Sequence, residues 1–322
     1  MKKIVFTGIF AVMLVLAFFG CNTGNNGNNG NNGNRHTHTW AWAETTVWGM
    51  ETGTCNGCTE TRLRLSPDMM AQIPAKTNIT MTNSLDTSDS YIVNLSAFKI
   101  GKYEVTQAQY KAVTGNNPSY FTTDAAAGEV QEKRPVEEVT WYDAVEFCNK
   151  LSVLEGLETV YTISGWTTEN GYPIRGAAVT ADFSKNGYRL PTEAQWEYAC
   201  RAGSTGDYSK DILGNEVTYT NLGEYAWYYA NTNLRTHEVG KRTANAFGLY
   251  DMHGNVYEWC WDWYGAYPSA AETDYVGASS GTDRVYRGGY YFDIALRLRS
   301  AYRSYLDPDI RVDGIGFRLA RP

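Results

Sequence analysis

The sequence predicts an α+β fold with few helices, many short strands and a large share of irregular loop. Aromatic residues make up 14% of the chain, and together with its 31 glycines they are typical of a loop-rich domain held by aromatic packing. Two segments carry a helix-capping pattern, and a third has apolar residues at helical spacing. The chain after Gly223 instead alternates short aromatic runs with Gly and Asn turns, which favours strands and loops.

The N-terminus predicts export and a lipid anchor. Two lysines precede an uncharged apolar run over residues 4–19, which is shorter than the roughly 20 residues that a membrane-spanning helix needs. We therefore expect residues 1–20 to be a signal peptide. Gly20-Cys21 resembles a bacterial lipoprotein cleavage site, with Cys21 as the acylated first residue. The alternative is an ordinary secretory peptide followed by a chance cysteine.

A tether and an acidic domain follow the anchor. Residues 22–34 are almost entirely Asn and Gly, a composition typical of a flexible tether. We expect the protein to be held on the bacterial outer membrane or cell surface. The formal net charge of −7 argues against a nucleic-acid partner, because binding to phosphates needs a basic face. We expect a monomer.

Residues 35–65 alternate polar with apolar or β-branched side chains on either side of a Gly/Cys turn, which predicts a β-hairpin. Residues 66–90 are rich in Ser, Asp, Thr and Asn and are interpreted as a linker. The main domain is expected over 91–322, beginning with a strand at 91–100.

Two cysteines in the hairpin have two possible roles. Cys55 and Cys58 either form a tight disulfide in an oxidising compartment or remain thiols. With His36 and His38 they also supply four ligands of the kind that zinc prefers. The disulfide or the thiols are favoured, because the His pair and the Cys pair lie well apart in sequence.

Three helices are predicted from their first residues. Thr106 and Gln109 form a capping-box pattern that opens a helix through Val113. Thr140 opens a second helix with apolar residues at helical spacing. Thr192 repeats the capping pattern and opens a third.

Motifs in a fixed order resemble a known family. They are FKIGKYEVT (98–106), RPVEEVTW (134–141), GYRLPTEAQWEY (187–198), NAFGLYDMHGNVYEW (245–259), and a close of RVYRGG (284–289) and GIGFRL (314–319). The chain from about residue 90 to its end is similar to the formylglycine-generating-enzyme (sulfatase-modifying factor) domain. The resemblance implies a C-type-lectin-like fold.

The resemblance does not carry the family's oxidase activity to this chain. Those enzymes use two cysteines after the Gly-Gly, which bind copper and react with the substrate thiol. Asp293 and Leu298 stand at the aligned positions, and neither offers a thiolate to a soft metal ion. We expect no catalysis. An exported oxidase of the formylglycine-generating type is the alternative.

A structural calcium site is also implied by the resemblance. Asp251 and Glu258 would supply carboxylates, and Gly254 and Val256 would supply backbone carbonyls. Such hard oxygen ligands suit Ca²⁺. The alternative is that the two carboxylates cap amides of the loop.

The C-terminal segment has an unusual composition. Residues 284–322 contain no Asn, Lys, Glu, Gln, Met or Trp, although Asn is abundant elsewhere. Randomising the adenines of Asn codons cannot produce Lys, Glu, Gln, Met or Trp. In this respect the segment resembles the variable lipoproteins of treponemes, which are targets of diversity-generating retroelements. We expect the variable region to cover about residues 284–318.

The variable region predicts a ligand-binding surface. Its Tyr-rich runs with an interleaved Arg have the composition of antibody-like binding surfaces, whereas Tyr291 and Phe317 are interpreted as core. The side chains predicted to line one pocket are Tyr286, Tyr290, Phe292, Asp293, Ile294, Leu296, Arg297, Tyr302, Ser304, Tyr305, Leu306, Ile310, Val312 and Asp313. The expected function is a surface receptor or adhesin for a protein or other macromolecule. A scaffolding lipoprotein of fixed specificity is a further alternative.

Overall fold

The structure is a computed structural model and describes residues 38–169 and 171–322. The predicted signal peptide (1–20), Cys21, the Asn/Gly tether and His36 lie outside the described residues. None of the helices in the described part of the chain is long and apolar enough to cross a membrane.

The predicted helices are confirmed. In the described residues they are α1 (Gln107–Thr114), α2 (Trp141–Glu155) and α3 (Glu193–Arg201). Each begins with a capping box, in which the side chain of Thr106, Thr140 or Thr192 accepts the backbone N–H three residues ahead. The first two end at Gly115 and Gly156, whose positive φ is the left-handed conformation in which helices often stop.

Short strands make up the rest of the regular structure. In chain order they are β1 (Trp40–Glu44), β2 (Met50–Cys55), β3 (Thr61–Leu65), β4 (Met70–Ile73), β5 (Lys76–Asn83), β6 (Asp86–Leu95), β7 (Phe98–Gly101), β8 (Tyr161–Thr168), β9 (Ile174–Ala181), β10 (Tyr257–Trp263), β11 (Glu272–Thr273), β12 (Arg284–Arg287), β13 (Arg303–Leu306), β14 (Ile315–Gly316) and β15 (Ala320–Arg321). Few helices, short strands and long loops agree with the predicted α+β class.

The central sheet contains the C-terminal segment. Its strand order is β13-β12-β10-β14, in which β12 pairs antiparallel with both β10 and β13, and β14 runs parallel to β10. The other sheets are β1-β2-β3, β11-β6-β5, β15-β7-β4 and β8-β9. Since β10 lies inside the central sheet, the fourth sequence motif and the variable region are direct neighbours.

The N-terminal element is a three-stranded sheet, and the predicted two-stranded hairpin over 35–65 is wrong. β2 lies between β1 and β3 and pairs antiparallel with both. Its sequence contains Gly53, which packs so closely under the ring of Trp42 that a Cβ there would lie 2.8 Å from it. The glycine interrupts the alternation by which a strand is identified from sequence.

The predicted linker over 66–90 is also wrong, because these residues fold into β4, β5 and the first half of β6. Ile73 of β4 is buried, and along β5 the buried Ile79 and Met81 flank the exposed Thr80. β4 pairs with β7, and β6 pairs with β5 and β11. The main domain therefore begins before residue 91. Polar side chains on the solvent face of the β5–β6 pair account for the linker-like composition.

Two clusters of buried side chains form the core. One surrounds Trp141, Phe147, Trp259 and Phe317 and includes Met50, Leu63 and Leu65 of the N-terminal sheet. The other surrounds Trp196 of α3 and includes the buried side chains of β4 to β7. Packing against these clusters fixes the N-terminal sheet on the main domain.

A buried ion-pair network joins α3 to the C-terminal segment. The guanidinium of Arg287 donates to Glu193 at 2.9 Å, to Glu197, and to the backbone carbonyl of Ser300 at 2.6 Å. Arg303 donates to both carboxylate oxygens of Glu193, at 2.9 and 2.7 Å. Burial lowers the pKa of Arg287, but the carboxylates of Glu197 and Glu193 outweigh it, and the pKa is raised overall.

Arg287→Met tests the contribution of this network. The substitution leaves two glutamates buried without their main cation, so we expect the free energy of unfolding to fall by about 3–5 kcal/mol. Arg311→Met is the matched control, since Arg311 is partly exposed and makes one long ion pair of 3.8 Å with Glu138. Its cost should stay below about 1 kcal/mol. Urea denaturation measures both; equal losses would contradict a structural role for the network.

Candidate functional site

Outward and inward side chains alternate along the C-terminal segment. Of the fourteen predicted binding residues, thirteen are half-buried or exposed, and only Asp293 is buried. The framework residues between them point inward: Arg287, Ala295, Leu298, Ser300, Ala301 and Arg303 are all buried. The segment therefore separates side chains that hold the fold from side chains that are available to a ligand.

Tyr257 of β10 is the centre of a cluster of the predicted residues. Its ring lies 4.5 Å from that of Tyr286 and 5.0 Å from that of Tyr290, measured between centroids. Its hydroxyl donates to Asp293, whose other oxygen lies 3.3 Å from Nη1 of Arg297. The tyrosines supply flat apolar area and Arg297, whose side chain is 55% exposed, supplies a charge at the edge of the cluster.

Two further predicted residues border the Tyr257 cluster. The hydroxyl of Ser304 donates to that of Tyr286 at 3.0 Å. Tyr302 interacts electrostatically with Tyr257 and Arg297. Burial raises the pKa of Tyr257, and the carboxylate of Asp293 raises it further. The Tyr257 hydroxyl therefore stays protonated and serves as a hydrogen-bond donor that holds Asp293 in place.

Ile294 and Leu296 line a cavity of about 610 Å³ beside the Tyr257 cluster. Its opposite wall is formed by residues 205–208 and 216–219. Tyr208 donates to the carbonyl of Ala295 at 3.0 Å, which fixes the two walls relative to each other. The other predicted residues do not line this cavity. Only two of the fourteen side chains therefore line this recess, which differs from the single pocket that the sequence predicted.

The remaining predicted residues lie around these two features. Phe292, which is 47% exposed, packs edge-on against Tyr229, and Tyr305, which is 48% exposed, stacks on Tyr264 at 4.1 Å. Leu306 is half-buried against the first core cluster. Ile310 and Val312 are exposed, and Asp313 accepts a hydrogen bond from the buried Tyr291 at 2.8 Å. Tyr291 and Phe317 are buried, as predicted.

Sequence reasoning missed Tyr257 and the 205–219 wall. Tyr257 stands inside the fourth motif, where it was interpreted as part of the framework. The wall meets the variable region only through the fold, about 80 residues along the chain from Ile294. Tyr219 of this wall is 72% exposed, but its exposure is known only from the structure, so the sequence offered no signal for the wall.

His253 of the fourth motif connects Leu298 to Ser209, the residue that follows the cavity wall at 205–208. One ring nitrogen lies 2.7 Å from the carbonyl of Leu298, and the other accepts the backbone N–H of Ser209 at 3.1 Å. This pattern requires the neutral imidazole. Burial lowers the pKa of His253 to about 4, although the Leu298 carbonyl acts in the opposite direction.

The positions aligned with the oxidase cysteines carry no reactive group. Leu298 is fully buried, and Asp293 is held by Tyr257 and Arg297. Two other cysteines of the domain, Cys148 and Cys200, are buried, and burial raises the pKa of Cys200 to about 12. Such thiols remain protonated near neutral pH and are poor nucleophiles or metal ligands.

The predicted calcium ligands do not fit a site in which both carboxylates bind the ion. Both oxygens of Glu258 accept hydrogen bonds from Arg318 at 2.6 Å, and one also accepts Trp196 Nε1 at 2.7 Å. One oxygen of Asp251 accepts the N–H of Gly240 at 2.7 Å, and the other is buried without a hydrogen-bond partner. Because Glu258 is already neutralised by Arg318, it is not available to a cation.

Comparison with known protein families identifies the family of this domain. The sulfatase-modifying factor enzyme 1-like domain matches residues 60–322. The chain belongs to this family. The motifs implied a C-type-lectin-like α+β fold. The observed fold agrees with the solved structure of a relative, Treponema denticola variable protein 1. The match begins within the three-stranded N-terminal sheet, which supports the earlier start of the domain.

Family relatives carry different names. Treponema denticola variable protein 1 has a solved structure that covers 84% of this chain and 99% of its own, with a TM-score of 0.70 and 38% identity. Chaperone protein LppX of Paenibacillus barcinonensis is 37% identical over 71% of this chain and 81% of its own. The formylglycine-generating enzyme of Bos taurus is 37% identical, but the match spans only 39% of that enzyme. The family therefore includes proteins named as enzymes and proteins named otherwise.

His253→Gln tests the role of this histidine through the pH dependence of the free energy of unfolding. Because the pKa of His253 is depressed on folding, its contribution to stability is present above the unfolded pKa of about 6.5 and is lost as the pH falls through about 4. This single group should lower the free energy of unfolding by up to about 3 kcal/mol between pH 7 and pH 4.

The comparison with the variant isolates this effect. Burial raises the pKa of Asp251 to about 6 and of Asp262 to about 7, and these groups favour the folded state as the pH falls. Their contributions cancel when the two proteins are subtracted. As the pH falls below 6.5, we expect the free energy of unfolding to decrease less in the variant than in the wild type. Parallel curves would contradict a buried neutral imidazole.

Proposed function

We propose that this chain is an exported, lipid-anchored surface protein whose C-terminal segment, about residues 284–318, binds a macromolecular ligand through exchangeable side chains and without catalysis. The observation that carries the proposal is the alternation in that segment. Thirteen of the fourteen candidate side chains are half-buried or exposed, whereas most of the framework residues between them are buried. Such an arrangement allows the surface to change while the backbone stays the same.

The chemistry of the accessible side chains suits protein recognition. Tyr286, Tyr290 and Tyr305 offer large rigid rings with few rotatable bonds, so little conformational entropy is lost on binding. Arg297 is exposed at the edge of the cluster that contains Tyr286 and Tyr290, and Arg and Tyr are the residues most often found at binding hot spots. A Tyr-rich surface with one adjacent recess favours a folded macromolecule over a small metabolite.

The framework supports exchange at the surface. Arg287 and Arg303 are neutralised by buried glutamates of α3, so their positions do not depend on the outward side chains. Tyr257 lies before the variable region, and Tyr286 and Tyr290 contact the core only through apolar packing, for example against Trp259 and Tyr291. Exchange at Tyr286 or Tyr290 removes a ring contact without breaking a buried charge pair.

The location of the surface follows from the N-terminal sequence. Acylation of Cys21 would attach the chain to a membrane, and the Asn/Gly tether over 22–34 would hold the domain away from it. A ligand outside the cell is then accessible to the C-terminal segment. The proposed partner is a protein or other surface macromolecule, and membrane contact is made by the lipid alone.

Absence of catalysis is part of the proposal. The segment carries Asp293 and Leu298 where the oxidases of the family carry cysteines, and the buried cysteines of the domain hold protonated thiols. A copper-dependent thiol-oxidation assay on the purified chain tests this part directly. We expect no turnover above that of copper alone; sustained oxidation of a cysteine peptide would favour the exported oxidase.

Deep sequencing of this locus in sibling clones tests the exchange of side chains. We expect amino-acid changes at the thirteen accessible candidate positions, and adenines at the matching codons of a near-copy of the 3′ end. The interleaved framework positions serve as the internal control: Ala295, Arg299, Ser300, Ala301, Arg303, Pro308 and Arg311 should not change. A uniform segment with no near-copy would contradict diversification and leave a scaffolding protein of fixed specificity.

A further inference from the structure

The outer end of the N-terminal sheet brings together two cysteines and a histidine. The Nδ1 atom of His38 lies 3.2 Å from Sγ of Cys55 and 3.6 Å from Sγ of Cys58. All three ligand atoms lie within 4.8 Å of one another. Among the residues that the structure describes, this is the only group of three or more His, Cys, Asp or Glu side chains placed to share a metal ion.

The distances agree with tetrahedral coordination. A nitrogen about 2.0 Å and a sulfur about 2.3 Å from a tetrahedral zinc ion lie roughly 3.6 Å apart. The observed separations of 3.2 and 3.6 Å between His38 and the two sulfurs are close to that value. The C-x-x-C spacing of Cys55 and Cys58 is the usual one for a pair of zinc thiolates.

The backbone holds this geometry. The N–H of Cys55 donates to the carbonyl of Glu60 at 3.0 Å, and the N–H of Asn56 donates to the carbonyl of Thr39 at 2.8 Å. Gly57 has a φ of 122°, which allows the tight turn between the two cysteines. These bonds tie the residue after His38 to the turn and keep the imidazole beside both sulfurs.

The electrostatics favour a cation at this position. The carboxylate of Glu60 lies 3.3 Å from Nδ1 of His38 and adds negative charge at the edge of the group. A divalent cation would bind the two sulfurs as thiolates, and their protons would be released on binding.

We propose that His38 Nδ1, Cys55 Sγ and Cys58 Sγ bind one zinc ion. This site lies largely outside the matched family domain and is independent of the binding surface. His36, the fourth donor suggested by the sequence, lies outside the described residues. The ion links the start of β1 to the β2–β3 turn. It thereby rigidifies the part of the folded protein that follows the tether. A Cys55–Cys58 disulfide, favoured from sequence alone, is the competing state.

Metal analysis of the full-length chain, purified in detergent without chelator, tests the site. We expect about one zinc per chain, with the thiols reacting with an alkylating reagent only after the chelator is added. Cys58→Ser and His38→Gln should weaken zinc binding by about 100-fold or more. Thr54→Ser is the matched control, because Thr54 is an exposed neighbour on β2, and it should retain the zinc.

Cobalt substitution of the wild type keeps the test decisive if a variant does not fold. Tetrahedral thiolate ligation of Co²⁺ gives sulfur-to-metal charge-transfer absorption in the near ultraviolet, and this absorption should disappear when zinc is added. Two outcomes would overturn the proposal. One is a chain that takes up neither ion. The other is an intact mass lower by two hydrogen atoms, restored by reductant, which would establish the disulfide.

Discussion

The pairing of Arg287 with the glutamates of α3 is the constraint on which the rest of the structure depends. A guanidinium that is fully buried must have its charge neutralised and its donors satisfied, and few arrangements of backbone achieve this. Glu193, Glu197 and the carbonyl of Ser300 provide that arrangement. The network thereby fixes β12 against α3 and holds the far end of the 289–302 loop. Because these groups are buried, a change on the outer surface does not disturb them.

This constraint explains how one segment can combine a fixed backbone with variable side chains. The buried residues of 284–318 contact α3, β10 and the 205–219 loop, whereas the candidate residues between them face outward. Tyr257 and the cavity wall at 205–208 and 216–219 lie outside the segment that we propose to vary and add further surface beside it. A ligand would therefore meet exchangeable residues set in a frame that does not change. The same logic applies to antibody loops on a rigid sandwich.

Local signals were sufficient to predict the helices and the motifs. A capping box is complete within four residues, so Thr106, Thr140 and Thr192 identified each helix start without knowledge of the fold. The Tyr-rich composition of the segment, with its interleaved Arg, predicted the outward side chains around Phe292 and Ile294, although the run itself shows no regular period. Burial of Tyr291 and Phe317 followed from their positions in the motifs.

Non-local features could not be predicted in the same way. The segment 66–90 forms strands because β4 pairs with β7 and β5 pairs with β6, and its own polar solvent face concealed that pairing. The resemblance implied Glu258 as a calcium ligand, and its pairing with Arg318, 60 residues away in sequence, becomes visible only in the fold. The approach of His38 to the Cys55–Cys58 pair depends likewise on how β1 folds onto β2.

The most direct test of the central claim is a crystal structure of a variant in which all thirteen accessible candidate residues are exchanged and Asp293 is kept. If the buried network determines the backbone, residues 284–313 should superpose on the parent within about 1 Å at Cα, the deviation seen in preorganised binding proteins. Arg287 should still pair with Glu193 and Glu197. A rebuilt 289–302 loop or a broken Arg287 pair would contradict the account, because the outward side chains would then share in determining the fold.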